Sequence, residues 1–445
     1  MKKVLILGAG MVARPIVQHL LEKGYAVTVA TRTKSKAEEM IKKHPNGSAI
    51  AWTVEDEDML ENMVHENDLT VSLLPYAYHV LVAKACIKAQ KPMVTTSYVK
   101  PEMQALDEQA KEAGIIILNE MGLDPGIDHM SAMRIIDHIH QKGGKVEKFY
   151  SLCGALPAPE ATDNYFRYKF SWSPKGVVMA GNNDARYLME GKAIEIPSKD
   201  LFKNPMKVCF PEVGMLEVYP NRDSILYKDI YGIDEAKTMM RGTFRYPGWC
   251  ITMDAMKALN LISYEKYNFS GKTYAEFVGM LIGTEDASNI RQKVADYLGM
   301  DINSYPIRAM HWLGLFDDKP MGRAIDSPFE ITSDLMIAKM PLNENERDMV
   351  VLQHNFLATY PDGKIEVIRS RMLDYGTPAT DTSIARTVAL PAALGVRMIL
   401  EGKINIKGVY RPVLPDIYNP VLDGLEELGI KMKEEYGLPE CEMLL

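Results

Sequence analysis

Cysteine is scarce and shows no pattern. The five cysteines (Cys86, Cys153, Cys209, Cys250 and Cys441) are odd in number and never in CxxC spacing. That argues against a disulfide framework or a thiolate zinc site and suits a reducing compartment. Positive charge is in deficit, with 51 Lys and Arg against 59 Asp and Glu and a net charge of −8. A nucleic-acid or membrane-surface protein would need the opposite balance. No apolar run reaches the ~20 residues that span a bilayer, and no leader-like segment precedes the first strand signal at Val4. The expectation is a cytoplasmic protein without nucleic-acid or membrane partners. Internal repeats and low-complexity tracts are also missing. What remains is ordinary globular composition, 47% hydrophobic and 25% charged over 445 residues, enough for two or three domains.

The N-terminus carries the sharpest motif. Val4 to Leu7 is an apolar run, and Gly8-x-Gly10-x-x-Ala13 follows it directly. Gly8 permits a tight turn, Gly10 lets backbone N–H groups approach a pyrophosphate, and Ala13 allows close helix–strand packing. A helix over Pro15 to Lys23 then points its positive end at the phosphates. A second strand, Ala26 to Ala30, comes next. A further absence follows that strand: the acidic residue that grips the ribose 2′-hydroxyl of NAD is missing. Thr31-Arg32-Thr33-Lys34-Ser35-Lys36 stands there instead. Arg32 with flanking hydroxyls suits a 2′-phosphate, which points to NADP(H). A solvated basic loop is the alternative.

Strands and helices alternate from residue 1 to about 125, as in a parallel doubly wound sheet. Strands are expected at Asp68–Leu74, Met93–Thr96 and Ile115–Leu118, and helices at His79–Ala89 and Pro101–Ala113. Loops at Pro75–His79, Ser97–Tyr98 and Gly122–Asp128 should therefore face one cleft. After a helix over His129–Gln141 the pattern changes to strands separated by turn-rich segments, which implies a mixed sheet. The stretch from about Tyr231 to Leu298 reads as mainly helical. Pro361-Asp362-Gly363 signals a hairpin turn, and Ser383–Leu400 a long apolar helix.

Several loops could carry chemistry. Asn119 to His129 holds three carboxylates and a histidine at a strand's carboxyl end. Asp124 reads equally as a turn former in Asp124-Pro125-Gly126 and as a catalytic group. His79 and His129 read as structural polar residues, and the ligand clustering that a metal needs is lacking. Cys153, at the expected end of a strand, reads as a small buried hydrophobe. Arg222 and Arg245 lie in Gly-, Pro- and aromatic-rich segments that suit either carboxylate binding or surface ion pairing.

Taken in order, LILGAGMVARP, VTVATRT, VSLLPYAYH, VTTSYVKPEM, LNEMGLDPGIDHM, CGALPAPEATDN, YKFSWSPKGV, YPNRDS, RGTFRYPGW and TVALPAALGVRMILEGKI resemble the saccharopine reductases, the NADP-dependent, L-glutamate-forming saccharopine dehydrogenases. Two segments depart from that family's usual pattern: Gly154-Ala155 stands for Gly-Gly, and Asn164-Tyr165-Phe166-Arg167 for Asn-Pro-Leu-Gly. The resemblance implies an α/β architecture: a variant Rossmann domain, a second α/β domain with a mixed sheet, and a small helical subdomain. The boundaries expected are 1–125 plus 390–445, 126–230 plus 300–389, and 231–299.

It also implies roles. Gly8, Gly10, Met11, Val12, Thr31, Arg32, Thr33, Leu74 and Pro75 would contact NADP(H). Ser97, Tyr98, Asp124, Arg222, Arg245 and Tyr246 would contact substrate, with Tyr98, Asp124 and Cys153 as the groups for proton traffic. The implied reaction joins saccharopine to L-glutamate and L-2-aminoadipate 6-semialdehyde in lysine metabolism. A monofunctional, cytoplasmic homodimer acting on small amino acids is expected. The alternatives are a carboxynorspermidine- or homospermidine-forming enzyme of the same fold, and a catalytically silent NADP-binding scaffold.

Overall fold

A computed structural model describes residues 1–444. It divides into two compact units, Met1–Gly144 with Ser370–Glu435, and Lys145–Arg369 with the chain from Tyr436 on. The first unit begins β1 (Lys3–Leu7), α1 (Arg14–Glu22), β2 (Ala26–Thr31), α2 (Lys34–Ile41), β3 (Gly47–Ala51), α3 (Glu57–Glu66) and β4 (Leu69–Ser72). It continues with α4 (His79–Ala89), β5 (Met93–Thr95), α5 (Pro101–Gln104), α6 (Asp107–Glu112), β6 (Ile116–Leu118) and α7 (Ile127–Gln141). Its seven strands are parallel. Gly408–Tyr410 lies at one edge, followed by β6, β5, β4, β1, β2 and β3. This is the dinucleotide-binding order, in which ligands sit past the strand ends where β1 and β4 adjoin. Val4 to Leu7 are fully buried because helices cover both faces of the sheet.

The helix Ser383–Leu400 packs on α1, β4 and β5. Its length and composition would allow a membrane crossing, yet 72% of it is buried as a core element. One expected helix is divided: Pro101–Ala113 forms α5 and α6. The turn at Leu106 brings Asp107 to the edge strand, where its Oδ1 accepts the Val409 N–H at 2.7 Å. An amide at the edge strand is thereby satisfied, at the expense of helix continuity.

The second unit is built on a nine-stranded mixed sheet. Its main path runs Met206–Phe210, Gly214–Pro220, Thr238–Arg245, β7 (Lys145–Pro157), Asp348–Thr359, Ile365–Tyr375 and Lys433–Leu438, and Ala185–Met189 and Lys192–Ile196 lie off that path. β7 pairs parallel with Thr238–Arg245 and antiparallel with Asp348–Thr359. The mixed sheet and the parallel sheet match the expected fold class.

Two segments differ from expectation. Thr238–Arg245 is a central strand inside the span read as helical, and the helices begin only at Trp249. Its residues are buried on both faces, so period-2 patterning is absent. Gly242 is needed there, because a Cβ would collide with Val218. β7 also runs on to Pro157, which puts Cys153 in mid-strand between Thr243 and Leu352.

Candidate active site

The turn after β1 is shaped for a nucleotide. Gly8 has φ +108°, and a Cβ there would come within 3.0 Å of the Leu73 carbonyl oxygen. Its N–H donates to Ala30 O at 2.9 Å. Only glycine adopts that backbone without strain. At Gly10 a Cβ would meet open space, so the backbone there is uncovered. Ala13 is fully buried under the start of α1, and Met11 is exposed while Val12 is half-buried. No side chain caps α1, and its first turn holds no acidic residue.

The same is true of α2, which follows Thr31, Arg32 and Thr33 at the end of β2. Arg32 and Thr33 are exposed, and among the described residues no carboxylate pairs with Arg32. Two uncapped helix ends, the second beside Arg32, are complementary to a pyrophosphate and a 2′-phosphate. The donor set therefore fits NADP(H). Leu74 is half-buried and Pro75 exposed, just past β4.

The loops beyond β4, β5 and β6 are tied to one another. His79, at the start of α4, bridges two hydroxyls. Its Nδ1 lies 2.8 Å from Ser72 Oγ and its Nε2 2.7 Å from Ser97 Oγ. Burial pulls its pKa down to about 4, so the imidazole is neutral near pH 7. Tyr98 donates its phenol proton to Asp124 Oδ1 at 3.1 Å. Asp124 also stands in a tight turn: Gly122 N–H donates to Pro125 O at 3.0 Å, and Gly126 has φ +148°. Asp124 is thus a turn residue whose carboxylate also accepts the Tyr98 phenol.

Glu120 and Arg411 were not singled out by sequence reasoning. Glu120 Oε1 accepts the Val99 N–H at 2.8 Å and Arg411 Nε at 3.0 Å, and Oε2 lies 2.7 Å from His129 Nε2. Burial raises the Glu120 pKa. The His129 contact, the charges of His129 and Arg411 and the Val99 amide outweigh that and hold it below the usual range. Arg411 is 291 residues away in sequence, so no local signal could have paired them.

In the second unit, Arg245 ends its strand only 3% exposed. Its guanidinium carbon lies 5.0 Å from the Tyr168 ring centre, 5.1 Å from Trp249 and 5.7 Å from Tyr219. Nη1 donates to Phe244 O at 2.9 Å. Among the described residues no carboxylate neutralises it. Glu217 stands opposite it in the strand register without forming an ion pair, and a buried cation held by ring faces has the chemistry to bind a carboxylate.

Tyr246 donates to Pro157 O at 3.1 Å and carries the Arg167 guanidinium 4.7 Å above its ring. Arg167, which sequence reasoning did not single out, lies in one of the two departures from the family pattern. Asn164 pins that loop, its Oδ1 accepting Phe166 N–H at 2.9 Å and its Nδ2 donating to Tyr168 O at 2.8 Å. Arg222 is exposed at the surface. Cys153 is buried within β7, so the structure does not place it on a loop.

Comparison with known proteins places the chain in a family. Family models described as the saccharopine dehydrogenase NADP binding domain and the saccharopine dehydrogenase C-terminal domain match residues 4–118 and 122–430. The chain is 40% identical to saccharopine dehydrogenase [NADP(+), L-glutamate-forming] of Schizosaccharomyces pombe, over 98% of this chain and 99% of the relative. The chain belongs to the saccharopine dehydrogenase family. The Saccharomyces cerevisiae member of the same name is 38% identical over 98% of this chain and 99% of its own length. A solved apo saccharopine dehydrogenase (L-Glu forming) from that yeast superposes with a TM-score of 0.90 at 35% identity, covering 98% of this chain and all of the other. Within the family's two matched regions, Gly8 to Tyr98 fall in the NADP binding domain. Asp124, Cys153, Arg222 and Arg245 fall in the C-terminal domain.

Proposed function

We infer that this chain is an NADP-dependent oxidoreductase acting on a CH–NH group, interconverting saccharopine with L-glutamate and L-2-aminoadipate 6-semialdehyde in lysine metabolism. The observation that carries the reading is the identity, over nearly all of both chains, with enzymes named for that reaction. In the oxidative direction the carbon that becomes the aldehyde loses hydride and the secondary-amine nitrogen bonded to it loses a proton, which leaves an imine. Water then adds to the imine, and glutamate leaves with its nitrogen. NADP(H) supplies only the hydride exchange.

The protein's part is to bind and orient. Gly8, Gly10, Met11, Val12, Leu74 and Pro75 are proposed to hold the dinucleotide, with Thr31, Arg32 and Thr33 on the 2′-phosphate. Saccharopine carries three carboxylates, and Arg245 is proposed to take one, with Arg222, Tyr246 and Ser97 as further substrate contacts. The hydrolytic step needs protons moved to and from water and nitrogen. The Tyr98–Asp124 pair, donor and acceptor at 3.1 Å, is proposed for that traffic. Cys153 stays in the proposal as a substrate-side thiol, and unchanged turnover in Cys153→Ser would remove it. A cytoplasmic homodimer completes the reading; sedimentation velocity at micromolar protein tests the dimer.

The deciding experiment follows NADPH consumption with glutamate plus aminoadipate semialdehyde, and NADP+ reduction with saccharopine. Turnover of both supports the reading. Turnover only with a diamine and an aldehyde partner would replace it with the carboxynorspermidine or homospermidine alternative. NADPH binding without any turnover would leave a scaffold.

A further inference from the structure

We propose that Glu120 is a positioning residue that aims the Tyr98 phenol at Asp124. The proposal rests on the reading of that pair as the proton-handling groups. Glu120 grips the Tyr98 loop from both sides. Its backbone N–H donates to Ser97 O at 3.1 Å, one residue before the tyrosine. Its carboxylate accepts the Val99 N–H at 2.8 Å, one residue after it. The next amide, Met121 N–H, bonds Thr95 O at 3.1 Å and continues the clamp.

Glu120 itself sits at φ +59°, an uncommon backbone for a residue with a Cβ. That geometry is what lets one residue present its amide and its carboxylate to the same three-residue loop. The carboxylate is fixed from behind by Arg411 Nε and His129 Nε2, at 3.0 and 2.7 Å. Its side chain is only 2% exposed, and its two oxygens are already taken up by Val99, Arg411 and His129. A shift of the loop would move the phenol relative to Asp124, and small misplacements of reacting groups cost large factors in rate.

A purely structural ion cluster would show the same contacts, so the test is a double-mutant cycle. kcat and KM for saccharopine oxidation, NADPH affinity by titration, and the melting temperature are measured for wild type, Glu120→Gln, Tyr98→Phe and the double variant. Glu120→Gln keeps an oxygen for the Val99 amide but loses the charge that Arg411 and His129 hold. We expect it to lower kcat by roughly tenfold or more, with NADPH affinity unchanged. In the Tyr98→Phe background the same substitution should cost far less, because coupled residues are not additive.

Losses that multiply, or a lowered melting temperature with kcat intact, would overturn the proposal. Tyr98→Phe at wild-type rates would show instead that the reading of the phenol is wrong, and Glu120 would then have nothing to position. If Glu120→Gln does not fold, Arg411→Met removes one support of the carboxylate at its more exposed end and carries the same cycle. A loss that vanishes with Tyr98→Phe supports the proposal, and one that multiplies refutes it.

Discussion

Arg32 is exposed at the end of β2, the first turn of α2 after it holds no acidic residue, and it forms no ion pair among the described residues, although its charge reaches Glu55. Arg32→Ala should therefore weaken NADPH binding while leaving NADH nearly unchanged. One charge-assisted phosphate contact is worth about 1.5–3 kcal/mol, and exposure puts this one at the lower end. Titration calorimetry checks it, and equal wild-type affinity for the two cofactors would refute it. Asp124→Asn keeps the turn chemistry and removes the charge that accepts the Tyr98 proton. Turnover should fall at least roughly tenfold with folding intact by circular dichroism. Unchanged rate and pH profile would leave Asp124 as a turn residue. Arg245→Lys keeps the charge but loses the planar stack on Tyr168 and Trp249. The KM for saccharopine should rise about tenfold while NADPH affinity holds. These residues were legible because each carries its own local signal: a glycine motif, a basic strand end, a Pro-Gly turn, an arginine among aromatics. Glu120 and Arg411 were not, since their meaning lies in a contact across 291 residues. His79 was legible only as a buried polar group, because its second partner, Ser97, comes from the loop after a neighbouring strand.

Among elements, those that make their own boundaries were readable. α4 and the helix Ser383–Leu400 have the expected limits, and the turn at Gly363 takes φ +85° as its sequence requires. Elements shaped by a neighbour were not. The split between α5 and α6 answers an amide at the edge strand. Thr238–Arg245 is a strand because strands flank it on both sides, not because of its pattern. Cys153 lies in mid-strand for the same reason, since β7 continues as far as its partners do. The β1–α1 turn supplies the prediction at this scale. In Gly8→Ala a methyl group would meet the Leu73 carbonyl at about 3.0 Å, on a backbone at φ +108°. Strain of this kind costs on the order of 1–3 kcal/mol. The variant should melt earlier and bind NADPH more weakly, since either relief moves the turn that presents the amides. Gly10→Ala, where a Cβ has open space, should leave the melting temperature nearly unchanged and weaken binding alone. Equal melting shifts for the two would refute this account of the turn.

Across the whole molecule, the alternation of strands and helices made the parallel sheet legible. The joining of residues 370–435 to the N-terminal unit follows from no periodicity in either stretch. It depends on the fit of Ser383–Leu400 against α1, β4 and β5. That packing also buries His19 of α1, and its consequence is a stability that depends on pH. His19 is lowered to about 4, by burial first and then by the charges of Arg397 and Lys23. His79 is lowered to about 4 by burial. In the unfolded chain both regain an ordinary value near 6.5. Between about pH 6.5 and pH 4 the unfolded chain therefore binds protons that the folded one refuses, and stability falls as the pH falls through that window. The slope fades as the pH rises past about 7.5, where the unfolded imidazoles have lost their protons too. Each accounts for on the order of 3 kcal/mol when fully expressed. The two are separable, because His79 is bonded at both nitrogens while His19 Nε2 is buried without a partner. His19→Leu removes that unsatisfied nitrogen and one titrating group together. Urea unfolding should show the variant at least as stable as wild type at pH 7, with a shallower loss on acidification to pH 5. A parallel loss in both proteins would mean that other groups set the acid sensitivity.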